Sequence, residues 1–223
     1  MIPVAMNASG QLIHEVLPVG WLQCNCSIVG DAETREAIVI DPGDNPEQIL
    51  EVLRRHRLRV KYIVITHAHI DHVGGAARLK QATGAPVLMH PEDRWLYQNL
   101  ELQATLVGLP APPPAAEIDH GLRAGDEIRW GQHLRAQVLH TPGHSPGSVS
   151  LYVPEREILF AGDTLFAGSI GRTDLWGGSY DAILRSIHTE LLPLDDRTAI
   201  YPGHGPATTI GAERERNLFL QDL

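Results

Sequence analysis

The sequence predicts an α/β protein in which two mixed β-sheets pack face to face and carry helices on their outer faces, an αββα sandwich. Three observations carry this. Short apolar runs, most of them ending near Gly, Pro or Asp, recur in both halves of the chain, at 37–40, 61–65, 86–89, 134–139, 148–153, 158–160 and 198–201. Helical patterns are interleaved with these strands instead of gathering at one end. Four of the apolar strands run directly into residues able to hold a metal, which asks that their ends converge along one edge of the sheets.

Taken in order, residues 11–19 read as a strand, and Cys26-Ser27-Ile28-Val29 as a second. A polar turn from Asp31 to Glu36 leads to the wholly apolar strand Ala37-Ile38-Val39-Ile40, which Asp41-Pro42-Gly43 ends abruptly. Asn45 is the expected N-cap of a helix opened by Pro46, with Ile49, Leu50, Leu53 and Leu58 as its apolar stripe. The strand 61–65 follows. A helix is expected over 73–83 with Gly84 as its stop, placing Asp71 and His72 at the helix start, and another over 92–106. The segment 108–114, with four prolines, cannot be regular structure and reads as a surface loop or a flap. The second half adds strands at 127–130, 134–139, 148–153 and 158–160, a helix at 179–192 and a last strand at 198–201. Glu213-Arg214-Glu215-Arg216 reads as a solvated helix start, with Arg214 within reach of a substrate.

Composition narrows the function. A chain of 223 residues suits one large domain or two small ones. The formal net charge of −9 argues against a nucleic-acid surface, which wants a basic face. The N-terminus lacks the basic residues and long apolar core of a secretory signal. No apolar run approaches the ~20 residues of a membrane span, so no membrane partner is expected. Cys24 and Cys26, two apart on a strand, point the same way but would close too small a ring for an unstrained disulfide. They read as small buried residues in a reducing compartment, with the cytoplasm as the expected location.

The densest chemistry is Thr66-His67-Ala68-His69-Ile70-Asp71-His72, in which four metal-capable side chains fall within six residues after the β-branched strand. Buried imidazole and carboxylate at this density are costly unless paired or ligated. Three more candidates arrive singly, each after a strand and a Gly: Gly143-His144, Gly162-Asp163 and Gly203-His204. Any one alone would be ordinary surface. Together they make five His and two Asp. A catalytic zinc takes about four ligands and keeps one place for water, so seven suit two ions about 3.5–4 Å apart. Asp163, alone on its loop, is the natural bridge.

These residues, with the flanking segments Thr141-Pro142-Gly143-His144-Ser145-Pro146-Gly147, Gly162-Asp163-Thr164-Leu165-Phe166, Gly171-Arg172-Thr173-Asp174 and Pro202-Gly203-His204-Gly205-Pro206, resemble the metallo-β-lactamase superfamily. Within it they look like the short single-domain type II glyoxalases, the hydroxyacylglutathione hydrolases. The resemblance runs from about Asn25 to the C-terminus. It implies one domain over 1–223 with the metals at one edge of an αββα sandwich. By similarity His67, His69 and His144 hold one ion, and Asp71, His72 and His204 a second, with Asp163 between them. Asp41 matches a buttressing Asp of the ligand loops. The chain ends 19 residues after His204, so the helical glutathione-binding domain of longer relatives is not expected. Asn217 precedes Leu218 where relatives commonly have Pro, with a local effect expected.

The implied activity is thioester hydrolysis, with S-lactoylglutathione or a related small-molecule conjugate as substrate. Two divalent ions, zinc with iron or manganese as alternatives, would lower the pKa of a shared water toward ~7 and supply a bridging hydroxide. Asp71 is the expected catalytic residue, orienting that nucleophile as well as binding metal. Arg172 is expected to anchor loops or meet a substrate carboxylate, and His140, at a strand end, to support the ligands from behind. His14, His56, His90, His120, His133 and His188 read as structural or solvent-exposed. The nearest rival is a mononuclear-iron persulfide dioxygenase of the same superfamily. A secreted β-lactamase and a nuclease fit less well, and a non-enzymatic metal-binding module would be expected to have lost ligands.

Overall fold

The computed structural model describes residues 12–221 apart from 110, 111 and 113. The chain opens with β1 (Leu12–Val19), β2 (Cys24–Asp31) and β3 (Glu36–Ile40), paired antiparallel in sequence. Helix α1 (Pro46–His56) then crosses to β4 (Arg59–Ile65), which lies parallel to β3. Helices α2 (Ile70–Val73) and α3 (Ala76–Thr83) lead to β5 (Val87–Met89), and α4 (Arg94–Gln98) and α5 (Leu100–Val107) to β6 (His120–Gly121). The first sheet has the order β1-β2-β3-β4-β5-β6, its last pairs parallel.

The second half supplies β7 (Glu127–Trp130), β8 (Leu134–His140), β9 (Val149–Val153) and β10 (Ile158–Gly162), then a hairpin of β11 (Leu165–Phe166) and β12 (Ser169–Ile170). Helix α6 (Tyr180–Ser186), β13 (Ala199–Pro202), β14 (Thr208–Thr209) and α7 (Ile210–Arg216) follow. The second sheet has the order β14-β13-β10-β9-β8-β7, with β10 and β13 parallel.

Period-two alternation along the strands builds three apolar layers. On β4, Ile63 and Ile65 face the helices with Ile49, Leu53 and Leu79. Val64, between them, faces the other sheet with Val138, Leu151 and Phe160. On the far side, Leu159 and Ile200 pack against Ile183, Ile187 and Leu191. Each such fully buried side chain contributes about 1.5–3 kcal/mol. The predicted two-sheet sandwich is therefore the observed one. Cys24 and Cys26 are both buried and free, and burial pushes the Cys24 thiol up to about 12.

Several local expectations are corrected. The helix expected over 73–83 is two helices, because the chain needs Gly74 and Gly75 at a close backbone crossing. A Cβ on Gly74 would lie 2.7 Å from the Gly43 carbonyl, and one on Gly75 2.7 Å from that of Pro42. The pattern over 92–106 likewise breaks at Asn99 into α4 and α5. The helix at 179–192 is α6, capped by the Ser179 hydroxyl, continued by a π-turn over Ile187–Leu191.

Asn45 precedes α1, but its side chain does not cap it. Its Oδ1 accepts a hydrogen bond from the Gly20 amide at 2.7 Å, tying down the β1–β2 turn. Glu213 is not solvated. It is buried and accepts hydrogen bonds from the Gly168 amide, the Thr208 hydroxyl and the Asn217 amide group. Arg214 pairs with Asp196 and the Leu192 carbonyl. Of the loop 108–114, Pro110, Ala111 and Pro113 lie outside the described residues.

Candidate metal centre

β4 ends at Ile65, and the next seven residues, a short loop running into α2, are held from beneath by side chains. The buried Asp41 carboxylate accepts from the Thr66 amide at 2.7 Å, the Thr66 hydroxyl at 2.6 Å and His72 Nδ1–H at 2.9 Å. With its proton committed to Asp41, the Thr66 hydroxyl accepts from His67 Nδ1–H at 3.1 Å. Both imidazoles thus turn Nε2 inward, the arrangement by which a carboxylate or hydroxyl orients a ligating histidine.

Two further residues hold this loop, and the sequence reading missed both. Buried Asp93 accepts from the Ala68 amide, the Ser145 hydroxyl and the Gly147 amide at 2.6–2.8 Å, joining the 66–72 loop to the 141–147 loop. Gln103 accepts from the Ile70 amide at 2.9 Å and donates to the Ala68 carbonyl at 3.0 Å. A signal existed: Asp93 and Gln103 share the helical spacing of Leu96, Leu100 and Ala104, so two polar residues sit on an apolar stripe.

The second half contributes one residue per loop. His144 donates from Nδ1 to the Arg172 carbonyl at 2.8 Å, leaving Nε2 as a lone pair. Asp163 follows β10 and His204 follows β13, side by side because those strands are parallel neighbours. Gly203 makes room between them: a Cβ there would overlap Asp163 Oδ1 and lie 2.7 Å from His72 Cε1.

All seven predicted residues come together. His67, His69 and His144 place their ligating atoms within 4.8 Å of one another, as do Asp71, His72 and His204. His69 Nδ1 faces His144 Nε2 at 2.8 Å, and His72 Nε2 faces His204 Nε2 at 3.3 Å. Asp163 lies between the groups, with Oδ1 3.5 Å from His72 Nε2 and Oδ2 3.5 Å from His144 Nε2. Asp71 Oδ2 is 3.0 Å from His204 Nε2.

Burial, reinforced by neighbouring imidazoles, holds His67 well below the usual histidine range and His69 down to about 3. Both are therefore neutral donors near pH 7, as ligation requires. Burial would raise Asp71, but His72 and His204 outweigh it and keep the carboxyl below the usual range. His67 Nε2, His69 Nε2 and Asp163 Oδ1 are buried without a hydrogen-bond partner. Buried polar atoms are seldom left so, and facing imidazole lone pairs repel unless a cation lies between them. The donor set, nitrogen and carboxylate oxygen, fits divalent zinc, iron or manganese.

The tentative residues fall differently. Arg172 acts on the cluster through its carbonyl, while its guanidinium forks onto Asp174 at 2.7 and 2.8 Å. His140 turns away from the seven: it stacks on His90 at 4.2 Å and donates to the Pro146 carbonyl, behind the loop that carries His144. A cavity of about 500 Å³ opens over the cluster, with Asp71, His144, Asp163 and His204 on one side and Leu22, Leu106, Phe166 and Trp176 on the other.

The sequence profile of the metallo-beta-lactamase superfamily matches residues 19–204, which spans every one of the seven. The chain belongs to that superfamily. Among curated superfamily relatives, it is 40% identical over 207 residues to hydroxyacylglutathione hydrolase GloC of Haemophilus influenzae, covering 92% of this chain and 97% of that protein. The crystal structure of the BLEG-1 B3 metallo-beta-lactamase superposes with a TM-score of 0.86 at 39% identity, covering 94% of this chain and 100% of that one. TTHA1623, crystallised in a di-iron-bound form, gives 0.81 at 41% identity, with 92% and 100% covered. Among the described residues, no helix is long and apolar enough to cross a membrane.

Proposed function

We propose that this metallo-beta-lactamase superfamily member is a dinuclear metal-dependent hydrolase that cleaves thioesters of the S-lactoylglutathione type. The observation that carries the reading is the convergence of five imidazoles and two carboxylates, with His67 Nε2, His69 Nε2 and Asp163 Oδ1 buried among them without a hydrogen-bond partner. The thioester assignment draws on the likeness to GloC.

His67, His69 and His144 would hold one ion, Asp71, His72 and His204 the other, and Asp163 would serve both. Ions held this way acidify a coordinated water and polarise a carbonyl oxygen. The protein's own contribution is orientation. Asp41, Thr66 and the Arg172 carbonyl fix which nitrogen each imidazole presents. Asp71, kept ionised by His72 and His204, accepts a hydrogen bond from the attacking water and aims it at the thioester carbonyl. Leu22, Leu106 and Phe166 offer the substrate an apolar wall across the cavity from the cluster. Zinc is the proposed metal and the cytoplasm the proposed location. The substrate is a small-molecule thioester, with no nucleic-acid or membrane partner.

The test is metal content by mass spectrometry alongside turnover of S-lactoylglutathione. Two ions per chain and metal-dependent hydrolysis are expected. The likeness to a di-iron protein makes iron the metal to check: one iron per chain with oxygen uptake on glutathione persulfide would replace this reading with a dioxygenase. The likeness to BLEG-1 calls for a cephalosporin control, and cleavage of it without thioester turnover would replace the substrate class.

A further inference from the structure

Beside the cavity over the seven residues lies a second of about 390 Å³, and the two share Leu22, Ile70 and Asp71 as a common wall. The second chamber is closed by Trp21, Pro46, Leu109 and Pro112. Trp21 and Leu22 sit on the β1–β2 turn, 76% and 43% exposed. That turn is pinned by Asn45 and by Gln23, whose side chain donates to the Gly20 carbonyl at 2.7 Å. Two large apolar side chains are therefore held toward water by a fixed turn, next to a reactive centre. Leu106 and Val107 at the end of α5 are also exposed, at 62% and 47%, and line the first cavity opposite the cluster. Exposed apolar surface gathered at a cleft marks a binding site.

Charge says what binds. Among the described residues lining the two cavities, the Arg and Lys side chains are Arg78 and Arg172. Arg78 is paired with Glu47, and Arg172 is forked onto Asp174. The other charges of the second chamber are Asp44 and Asp71. A glutathione arm brings two carboxylates and a coenzyme A arm brings phosphates, and among the described residues of the second chamber neither would meet an unpaired Arg or Lys.

We propose that the second chamber is a substrate subsite for an uncharged, apolar arm of the thioester. This rests on the thioesterase reading and adds neutral acyl or alkyl thioesters to the glutathione conjugates proposed above.

The experiment uses the metal-loaded chain and two substrate series. One is N-acetylcysteamine thioesters from acetyl to decanoyl, and the other is acetyl thioesters of methyl to decyl thiols. S-lactoylglutathione is run beside them. In at least one series kcat/KM is expected to rise about fourfold per methylene until the chamber is full. Leu22→Asp, which puts a charge on the shared wall, should abolish that slope. Trp21→Ala, at a mostly exposed position, should lower it. Alkyl thioethers of N-acetylcysteamine, which cannot be hydrolysed, should bind with a parallel chain-length dependence by calorimetry.

Flat series, or a slope unchanged by both variants, would overturn the subsite and leave the thioesterase reading standing. Thioether binding that climbs with chain length while no thioester is cleaved would keep the subsite and sink the thioesterase reading.

Discussion

The two halves of the sandwich deliver their candidate ligands by different means. The first half puts four on one loop after β4 and holds that loop with side-chain hydrogen bonds from Asp41, Asp93 and Gln103. The second half puts one on each of three loops: Asp93 also braces the loop of His144, while Asp163 and His204 meet by close packing, with Gly203 pressed between Asp163 and His72. A contiguous motif needs partners from elsewhere to shape it. A set of single residues needs strand ends already adjacent and little bulk between them. The first arrangement should therefore fail one hydrogen bond at a time, and the second abruptly, when an atom is added.

The largest expected effect comes where the halves meet. Asp163→Asn removes the carboxylate that faces both groups and should lower kcat/KM by about a thousandfold, a loss of several kcal/mol of charge stabilisation. Metal content should fall below two ions per chain. Full metal and full activity in this variant would show that Asp163 serves neither group. Gly203→Ala comes next. A methyl group at that position displaces Asp163 and His72 together, with a loss on the order of 100-fold in activity at nearly unchanged circular dichroism. An active Gly203→Ala enzyme would mean that the second half is as forgiving as the first.

Asp41→Asn tests the hydrogen-bonded side. It leaves the fold's apolar layers intact and should weaken metal affinity about 10- to 100-fold, read by competition with a chelator. An unchanged affinity would deny Asp41 its orienting role. The smallest effect lies away from the centre, at His14 on β1, whose ring packs edge-on against Phe160 and Tyr201.

Burial lowers the His14 pKa from 6.5 to about 4. Between those values the unfolded chain binds the proton that the folded chain refuses, so stability is lost as pH falls through that window. In metal-free protein, His14→Phe should reduce the acid-induced drop in Tm by about 2–4 °C. Identical acid limbs for the two proteins would remove His14 from the account.

Much of this was legible in the residues. Strand positions could be read because apolar runs such as Ala37-Ile38-Val39-Ile40 stop at Gly, Pro or Asp. The seven candidate ligands could be read because each follows such a run. Helix limits were less legible, since the break at Gly74-Gly75 depends on the carbonyls of Pro42 and Gly43 passing close by. Glu213 was misjudged for the same reason. Its alternating charged neighbours suggest a solvated face, but the β11–β12 hairpin folds over it and supplies the Gly168 amide. Asn45 looked like a cap, and only the proximity of Gly20 shows what its side chain holds.

The sequence by itself determined the two-sheet sandwich and the set of side chains able to hold metal, because periodicity and local punctuation are properties of neighbouring residues; the superfamily came from the resemblance of its motifs. Tertiary structure alone decided which nitrogen each histidine presents, that Asp93 and Gln103 brace the ligand loop, and that Trp21 and Leu22 stand over a chamber beside Asp71. Those outcomes rest on contacts between segments far apart in the chain. No local pattern encodes such contacts; they exist only once those segments have folded together.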